Sequence, residues 1–332
     1  MKYSLQEKLA PWQNRKRLKI LFILISIVFL FSSDPCVYSG MEKSISHDKK
    51  DILPVRATDV GSYSYNESNL VIGAIQFYSV KKGESLIEIA RKFGIGYNEI
   101  ADANPSLDPF VPGTGTRVIL HTSWILPDVK QREGIVINLS ELRLYYFFKH
   151  KNKDFVMTFP VGIGSEGNNT PVGEFRVVEK IVNPPWYVPE SIRKEKPWLP
   201  AVVPPGHENP LGSHALRLSF QTILIHGTNR PFCVGRRASH GCIRLYPEDI
   251  PKLFKLVSIG TKVTIIRQPI EVGTRDKRVF IEVHTGDSMK DMNYFNEAVI
   301  LLQKKDFLKR VSTDKLYRAI IEKLGIPVDI TR

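Results

Sequence analysis

The chain has 332 residues, which is enough for two domains of ordinary size with short additional segments. Its content of 42 % hydrophobic and 24 % charged residues excludes an intrinsically disordered protein. The formal net charge of +13 favours anionic partners, among them nucleic acid, phospholipid and wall polymers, without distinguishing between them.

The N-terminus has the pattern of an export signal. An apolar run covers residues 20–31, and six basic residues precede it: Lys2, Lys8, Arg15, Lys16, Arg17 and Lys19. A basic segment before about a dozen apolar residues is typical of a secretory signal, and Val37 and Ser39 are small enough to flank a cleavage site. We expect residues 1–39 to be a signal peptide or an uncleaved membrane anchor and the protein to reach the periplasm or cell envelope. Export argues against nucleic acid as a partner.

Residues 40–75 are polar and show no sustained periodicity. This composition predicts a flexible tether between the N-terminal segment and the first compact region.

Residues 76–121 predict a small βααβ unit. A short strand ends at Gly83, and Ser85 with Glu88 forms a capping box that starts a helix. Apolar residues at helical spacing predict the buried face of that helix: Leu86, Ile89, Ala90 and Phe93. A second short helix near 98–103, ending at Asn104, and a strand at 116–120 complete the unit. The segment closely resembles a LysM module, which implies binding to peptidoglycan glycans through the loops after Gly83 and before Asn104.

Residues 133–268 predict a mainly β domain. Closely spaced strand candidates with Gly and Pro between them favour a sandwich or barrel-like sheet; they cover 135–139, 142–148, 155–159, 174–183, 215–220, 222–226 and 262–267. One helix is expected at 247–257. Eight prolines between Asn183 and Pro210 predict an irregular segment there, either a lid or a plain insertion.

Cys242 and His226 are the residues best suited to covalent chemistry. A nucleophilic cysteine requires a neighbouring base, since an unperturbed thiol has a pKa of roughly 8.5. His226 ends a predicted strand, and Cys242 follows it 16 residues later in the segment Ser239-His240-Gly241-Cys242. Backbone groups at Gly227 and Gly241 can approach a substrate closely because these residues lack a side chain. Arg244 can orient the loop or bind a carboxylate.

This pattern resembles the catalytic domain of the L,D-transpeptidases, of the YkuD type and the ErfK/YbiS branch. The signature is a His, a spacer, and then Ser/Thr-His-Gly-Cys. The resemblance covers roughly 133–268 and extends to the segments Phe159-Pro160-Val161-Gly162, Thr170-Pro171-Val172-Gly173, Asn209-Pro210-Leu211-Gly212 and Tyr246-Pro247-Glu248-Asp249.

The resemblance implies a cysteine-dependent acyltransferase that needs no metal or cofactor. Cys242 would attack the third residue of a peptidoglycan stem tetrapeptide and release D-alanine, with His226 as general base and acid. The Gly227 carbonyl would orient His226, and backbone N–H groups near Gly241 and Cys242 would stabilise the oxyanion. The acceptor would be a second stem peptide, giving a 3→3 crosslink, or an envelope lipoprotein. Supporting roles fall to Ser239, His240 and Arg244.

Several alternatives stay open from the sequence. Transfer to water would make the protein an L,D-carboxypeptidase, and a degenerate site would leave a non-catalytic wall-binding protein. Cys242 alone could be a buried structural residue. A zinc site from His226, Cys233, His240 and Cys242 has suitable ligand types. A disulfide between Cys233 and Cys242 would silence the site or act as a redox switch.

Residues 269–332 predict a short α/β extension. A strand is expected at 279–283 and a helix at 294–304. A second helix, capped by Thr313, is expected to run to Leu324 before Gly325. Packing against the catalytic domain is the default expectation, and a partner-docking surface is the alternative.

Overall fold

The computed structural model describes residues 61–220, 222–285 and 292–332. The expected export segment and the first part of the expected tether therefore lie outside the described residues. Within those ranges, no helix has both the length and the apolar character needed to cross a membrane.

The described chain is mainly β, as the sequence predicted. The strands are β1 Ser62–Tyr65, β2 Val71–Gly73, β3 Gln76–Ser79, β4 Arg117–Leu120, β5 Ser123–Ile125, β6 Gly134–Asn138, β7 Arg143–His150, β8 Lys153–Pro160, β9 Ile163–Gly164, β10 Gly173–Val182, β11 Trp186–Tyr187, β12 Val202–Val203, β13 His214–Leu218, β14 Leu224–His226, β15 Arg237–Ser239, β16 Ile243–Arg244, β17 Lys262–Ile266, β18 Ile270–Arg275, β19 Arg278–Val283 and β20 Val328–Asp329. The helices are α1 Leu86–Lys92, α2 Tyr97–Asp102, α3 Glu190–Glu195, α4 Ile250–Leu256, α5 Tyr294–Lys304 and α6 Thr313–Glu322, and short 3-10 helices cover Pro231–Cys233 and Leu308–Arg310.

Residues 62–266 form a nine-stranded sheet in the order β1-β8-β7-β6-β17-β10-β13-β14-β16, which contains the candidate segments around His226 and Cys242. Its neighbours are antiparallel except for the parallel pairs β6–β17 and β14–β16. Successive side chains on a strand point to opposite faces. Ile135 and Ile137 accordingly pack into the main apolar core, which also holds Leu216, Ile225, Ile243, Val263 and Ile265.

The other face of the same strands is buried as well. Val136, Tyr145 and Phe147 pack with residues of the βααβ unit, among them Leu86, Ile89, Ile100 and Trp124. Burial on both faces explains why β6 and β7 read as nearly continuous apolar runs. The LysM-like unit and the catalytic sheet thus share one hydrophobic core.

The βααβ unit forms as the sequence predicted, with β3 and β4 antiparallel around α1 and α2. Ser85 and Glu88 form the expected capping box, in which the Ser85 N–H donates to Glu88 Oε2 at 2.8 Å. All four residues of the predicted stripe are buried. Asn104 fastens the unit, since its amide donates to the carbonyls of Ile100 and Ile119 at 2.8 and 2.9 Å.

Residues 61–75 are not a tether. Strand β1 pairs with β8 at the edge of the nine-stranded sheet, and β2 pairs with β5. The polar composition did not predict this pairing, because an edge strand needs only one buried face. In β1 that face consists of Tyr63 and Tyr65, which pack against the shared core.

The proline-rich segment is more regular than predicted. Strand β11 pairs with β12, and the short helix α3 lies between them. Three of the eight prolines stand at element ends, where no ladder hydrogen bond is lost: Pro185 precedes β11, Pro189 caps α3 and Pro204 follows β12. Asn209 closes the base of the segment, because its amide donates to the carbonyls of Pro184, Val203 and Pro204.

Helix α4 begins at Ile250, three residues after the predicted Pro247, because a turn that joins the Asp249 N–H to the Tyr246 carbonyl precedes it. The C-terminal extension forms the three-stranded sheet β18-β19-β20, with α5 and α6 packed on it. The sequence missed β18 and β20. It also misplaced the cap of α6, which is Ser312 and not Thr313.

Candidate active site

The parallel pairing of β14 with β16 brings the two key segments together. Ile225 pairs with Ile243, and His226 pairs with Arg244. Ile225 and Ile243 are fully buried in the core, so alternation places their neighbours on the opposite face. His226 ends β14, and Cys242 immediately precedes β16 on that face. Adjacent strands lie about 4.8 Å apart, so the two side chains share one small region.

His226 is buried, and its ring orientation is fixed by a backbone carbonyl. Its Nδ1 donates to the Gly227 carbonyl at 2.6 Å, which leaves Nε2 with the lone pair when the ring is neutral. Burial lowers the pKa of His226 to about 3, and the positive charge of Arg244 contributes to the same direction. The ring is therefore neutral at pH 7.

Cys242 is a free, partly exposed thiol. Burial of its sulfur raises the pKa of Cys242, while the Leu224 backbone and the charges of Arg244 and Arg217 partly oppose this. The thiol donates to the Thr222 carbonyl at 3.5 Å. The hydrogen bonds of Cys242 and His226 go to backbone carbonyls. Because the pKa of the thiol is raised and that of the imidazole is lowered, both side chains are neutral at pH 7.

The turn before Cys242 is closed by Ser239. Its hydroxyl donates to the Cys242 carbonyl at 2.5 Å and accepts from the Gly241 N–H at 3.2 Å. Gly241 has a φ of +101°, a conformation that residues with a side chain rarely adopt. These contacts fix the backbone on both sides of the thiol.

Families of known proteins match both regions. The L,D-transpeptidase catalytic domain, YkuD, matches residues 132–265, and the LysM domain matches residues 78–110. A relative named "Probable L,D-transpeptidase YcfS" from Escherichia coli K12 is 38 % identical over 276 residues, which cover 79 % of this chain and 85 % of that protein. The chain belongs to the L,D-transpeptidase family.

Two further relatives support the same assignment. "Probable L,D-transpeptidase YbiS" from Escherichia coli K12 is 35 % identical over 79 % of this chain and 89 % of that protein. "Probable L,D-transpeptidase ErfK/SrfK" from Salmonella typhimurium is 35 % identical over 75 % of this chain and 83 % of that protein. In each case the similarity covers at least three quarters of this chain.

Thr170 holds the turn before Cys242, and sequence reasoning assigned it no role. Its hydroxyl donates to the Gly241 carbonyl at 2.9 Å and accepts from the Gly164 N–H at 3.0 Å. Thr170 is buried. The sequence did mark Thr170, since Thr170-Pro171 is one of the segments that carry the family resemblance. Its structural role was not predictable because Gly241, to which it donates, lies 71 residues away.

His240 and Arg244 contact neighbouring structure and lie beside the thiol. His240 Nε2 lies 3.4 Å from Glu195 Oε2 on helix α3, so His240 joins the turn before Cys242 to the proline-rich segment. Arg244 Nη1 donates to the Ala238 carbonyl at 3.2 Å.

Two alternatives from the sequence do not fit the geometry. Among the described residues, the His, Cys, Asp and Glu side chains whose ligand atoms converge are Glu141, Glu271 and His284, so His226, Cys233, His240 and Cys242 do not form a metal site. Cys242 is a free thiol, so the Cys233–Cys242 disulfide is not formed in this structure.

Proposed function

We propose that this chain is an envelope L,D-transpeptidase that acts on peptidoglycan stem tetrapeptides through a thioester on Cys242. The Cys242 sulfur forms a bond to the carbonyl carbon of the third stem residue, and the amide bond to the terminal D-alanine breaks. An amine of a second stem peptide, or a lysine of an envelope lipoprotein, then takes the acyl group and frees the thiol. Family membership and the arrangement of Cys242 and His226 support this proposal.

The neutral, carbonyl-oriented ring of His226, on the strand that pairs with the one following Cys242, is the observation that supports the proposal. With Nδ1 donating to Gly227, the basic Nε2 is the atom that accepts a proton. The thiol proton moves to Nε2 as the sulfur attacks, and His226 then gives it to the departing D-alanine amine. Because the pKa of the thiol is raised and that of the imidazole is lowered, this transfer accompanies attack on bound substrate and does not precede it.

The oxyanion donor is better assigned to the Cys242 N–H than to that of Gly241. The Gly241 N–H is already engaged by Ser239 Oγ. In a planar trans peptide the C=O and N–H groups point in opposite directions. Thr170 binds the Gly241 carbonyl, so the N–H of the same peptide, which belongs to Cys242, points away from Thr170 and is available for developing negative charge.

The LysM domain supplies a surface suited to glycan strands. The loops after β3 and before β4 are neighbours, since the Leu86 N–H donates to the Pro109 carbonyl at 2.9 Å. Phe110 in the loop before β4 is 64 % exposed, and Lys81 and Lys82 in the loop after β3 are also exposed. An exposed aromatic ring offers a face for sugar stacking. We therefore assign glycan binding to the loop after β3, as the sequence suggested, and to the loop that follows Asn104 rather than the one before it.

Export to the periplasm or cell envelope forms part of the proposal. The basic and apolar N-terminal pattern supports it, as does a substrate that lies outside the cytoplasm.

Product analysis tests the proposal. The full-length chain and its Cys242→Ala variant are incubated with disaccharide-tetrapeptide, and products are identified by mass spectrometry. We expect a crosslinked dimer with loss of D-alanine from the parent and no product from the variant. Sedimentation of both proteins with insoluble peptidoglycan is the control for folding. Tripeptide without dimer would mean a carboxypeptidase, and glycan binding without turnover by either protein would mean a wall-binding protein.

A further inference from the structure

A group of buried ionisable side chains lies where the LysM domain, the catalytic sheet and the C-terminal extension meet. We call it the junction cluster; its members are His121, Glu141, Glu271, Glu282 and His284, each at most 4 % exposed. His121 follows β4, Glu141 lies between β6 and β7, and the other three lie on or next to the β18–β19 hairpin. None of them belongs to the candidate active site.

Three members direct ligand atoms toward a common point. One atom each from Glu141, Glu271 and His284 lies within 4.8 Å of the other two. His284 Nε2 is 3.5 Å from Glu271 Oε2. Two ligands bonded to one tetrahedral Zn²⁺ at about 2.1 Å lie about 3.4 Å apart, so this pair already has suitable spacing.

The carboxylates are held by neighbours that metal ligands commonly have. Asn138 Nδ2 donates to Glu271 Oε1 at 2.5 Å and contacts Glu141 Oε2 at 3.4 Å. Tyr145 Oη donates to Glu141 Oε1. Such outer contacts fix the orientation of a ligand and raise metal affinity. The other oxygen of Glu271, Oε2, has no hydrogen-bond partner among the described residues and faces His284.

His121 gives a second, independent indication that the cluster accommodates a cation. It is fully buried, and neither of its ring nitrogens makes a hydrogen bond within the described residues. Its Nε2 lies 3.4 Å from Glu282 Oε1, and that same oxygen lies 3.0 Å from His284 Nε2. Buried polar groups are nearly always satisfied, so an imidazole aimed without a hydrogen bond into a carboxylate cluster requires an explanation.

The charges of the cluster point to a cation as well. Glu141, Glu271 and Glu282 are buried together. The free energy needed to bury an unpaired carboxylate is much larger than the free energy that hydrogen bonds to neutral groups provide. A divalent ion offsets the charge of Glu141 and Glu271 and takes up Nε2 of His284, so that Glu282 pairs with the imidazole of His121 instead.

We propose that Glu141, Glu271 and His284 bind one divalent transition-metal ion, with Zn²⁺ preferred. An imidazole nitrogen with two carboxylates suits Zn²⁺, whereas Mg²⁺ and Ca²⁺ prefer oxygen ligands alone. A pocket of about 340 Å³, lined by His121, Glu141, His284, Asp102 and Arg237 among others, leads to the ligands. Because Glu141 comes from the catalytic sheet and the other two ligands come from the C-terminal hairpin, the ion fastens the extension to the catalytic domain.

Zinc titration tests this site without reference to transpeptidation. The full-length chain carries Cys242→Ser, so that the active-site thiol does not bind the metal, and is freed of metal with a chelator. Titration against a competing zinc dye is expected to give one Zn²⁺ per chain. Glu271→Gln in the same background is expected to weaken binding more than about 100-fold. Asp102 is a carboxylate of the same pocket that is not a proposed ligand, so Asp102→Asn is the control. It is expected to change the zinc affinity less than about threefold.

Two further measurements make the result decisive. Zinc is expected to raise the unfolding temperature of the Cys242→Ser protein and not that of Glu271→Gln. X-ray absorption of the zinc-loaded protein is expected to show nitrogen and oxygen ligands and no sulfur, a result that does not depend on any ligand variant folding. Any of four results would overturn the proposal: absence of bound zinc, sulfur ligation, preference for Mg²⁺, or equal affinity in Glu271→Gln. The negative charge of the junction cluster would then be neutralised by protons alone.

Discussion

Glu99 and Arg143 form a bidentate ion pair that is closed to solvent and joins the LysM domain to the catalytic sheet. Arg143 Nε and Nη2 lie 2.6 and 2.7 Å from the two Glu99 oxygens, and Trp124 Nε1 donates to the same carboxylate at 3.1 Å. The guanidinium also lies over the Trp124 ring, 4.1 Å from its centroid. Burial alone would raise the pKa of Glu99, but Arg143 and neighbouring donors hold it below its usual value. Charge pairing thus specifies how the two domains dock.

Removing one partner of this pair is expected to be costly. Glu99→Gln leaves the buried Arg143 without a counter-charge, so we expect a loss of about 3–5 kcal/mol in the free energy of unfolding. Arg91 and Glu248 form a second ion pair between the same domains at 3.1 Å, but it is partly exposed. Arg91→Gln is therefore the matched control, with an expected loss below about 1 kcal/mol. Urea denaturation measures both, and equal losses would contradict a special role for the buried pair.

The domain interface also depends on the close approach of Gly96 and Gly235. A side-chain carbon on Gly235 would lie 2.2 Å from the Tyr97 nitrogen and 2.5 Å from Gly96 Cα. Gly235→Ala is expected to destabilise the protein by about 2–4 kcal/mol, from the clash together with its positive φ. Gly260→Ala is the control, because Gly260 also has a positive φ but open space around it. Gly260→Ala is expected to lower the free energy of unfolding by about 1 kcal/mol. A similarly small loss in Gly235→Ala would mean that the interface adjusts to the added carbon at little cost.

The raised pKa of Cys242 predicts the pH dependence of its reactivity. The thiolate is the reactive form, so the rate of alkylation by iodoacetamide is expected to rise about tenfold per pH unit between pH 7 and 8.5. His226→Gln is expected to leave this slope unchanged while lowering turnover about 10²–10⁴-fold, since His226 acts only during attack on substrate. A rate that is constant from pH 5 to 8 would instead show a resting thiolate–imidazolium pair.

Thr170 is expected to affect catalysis through the position of the Gly241–Cys242 peptide. Thr170→Val keeps the shape but loses the hydrogen bond to the Gly241 carbonyl, so kcat is expected to fall about tenfold with little change in KM. Ser165→Ala is the control, because it also removes a hydroxyl from this loop. The Ser165 hydroxyl accepts from Asn168 Nδ2 at 3.2 Å in an exposed contact, so its removal should leave kcat unchanged. An unaltered kcat in Thr170→Val, with unfolding temperature unchanged, would remove Thr170 from the account.

Features of this molecule that depend on local sequence were predictable. The capping box at Ser85 and the apolar spacing of 294–304 each specify a helix from a few neighbouring residues, and both helices form as expected. The candidate-site segments were identified in the same way, because His226 and the Ser239–Cys242 turn are contiguous motifs; their catalytic roles stay predictions. The β6–β7 hairpin around Ser140-Glu141 also follows from short-range pattern.

Features that depend on distant partners were not predictable. Strand β1 looks like polar tether because its pairing partner, β8, begins 88 residues after its last residue. Glu99 and Arg143 carry the charges of surface residues, and only docking of the LysM domain on the sheet buries them. The engagement of the Gly241 N–H by Ser239 likewise emerges from three-dimensional closure of the turn. In each case tertiary contacts decide what a residue does.

The central claim is that the Cys242 sulfur carries the acyl group, and trapping that intermediate tests it most directly. The full-length chain is mixed with disaccharide-tetrapeptide without an added acceptor, quenched in acid and digested for mass spectrometry. We predict a donor adduct lacking D-alanine on the peptide that contains Cys242. It should be released by hydroxylamine, as a thioester is, and be absent from Cys242→Ser. Turnover by a Cys242→Ala variant at the parent rate, or an adduct on another residue, would contradict the account.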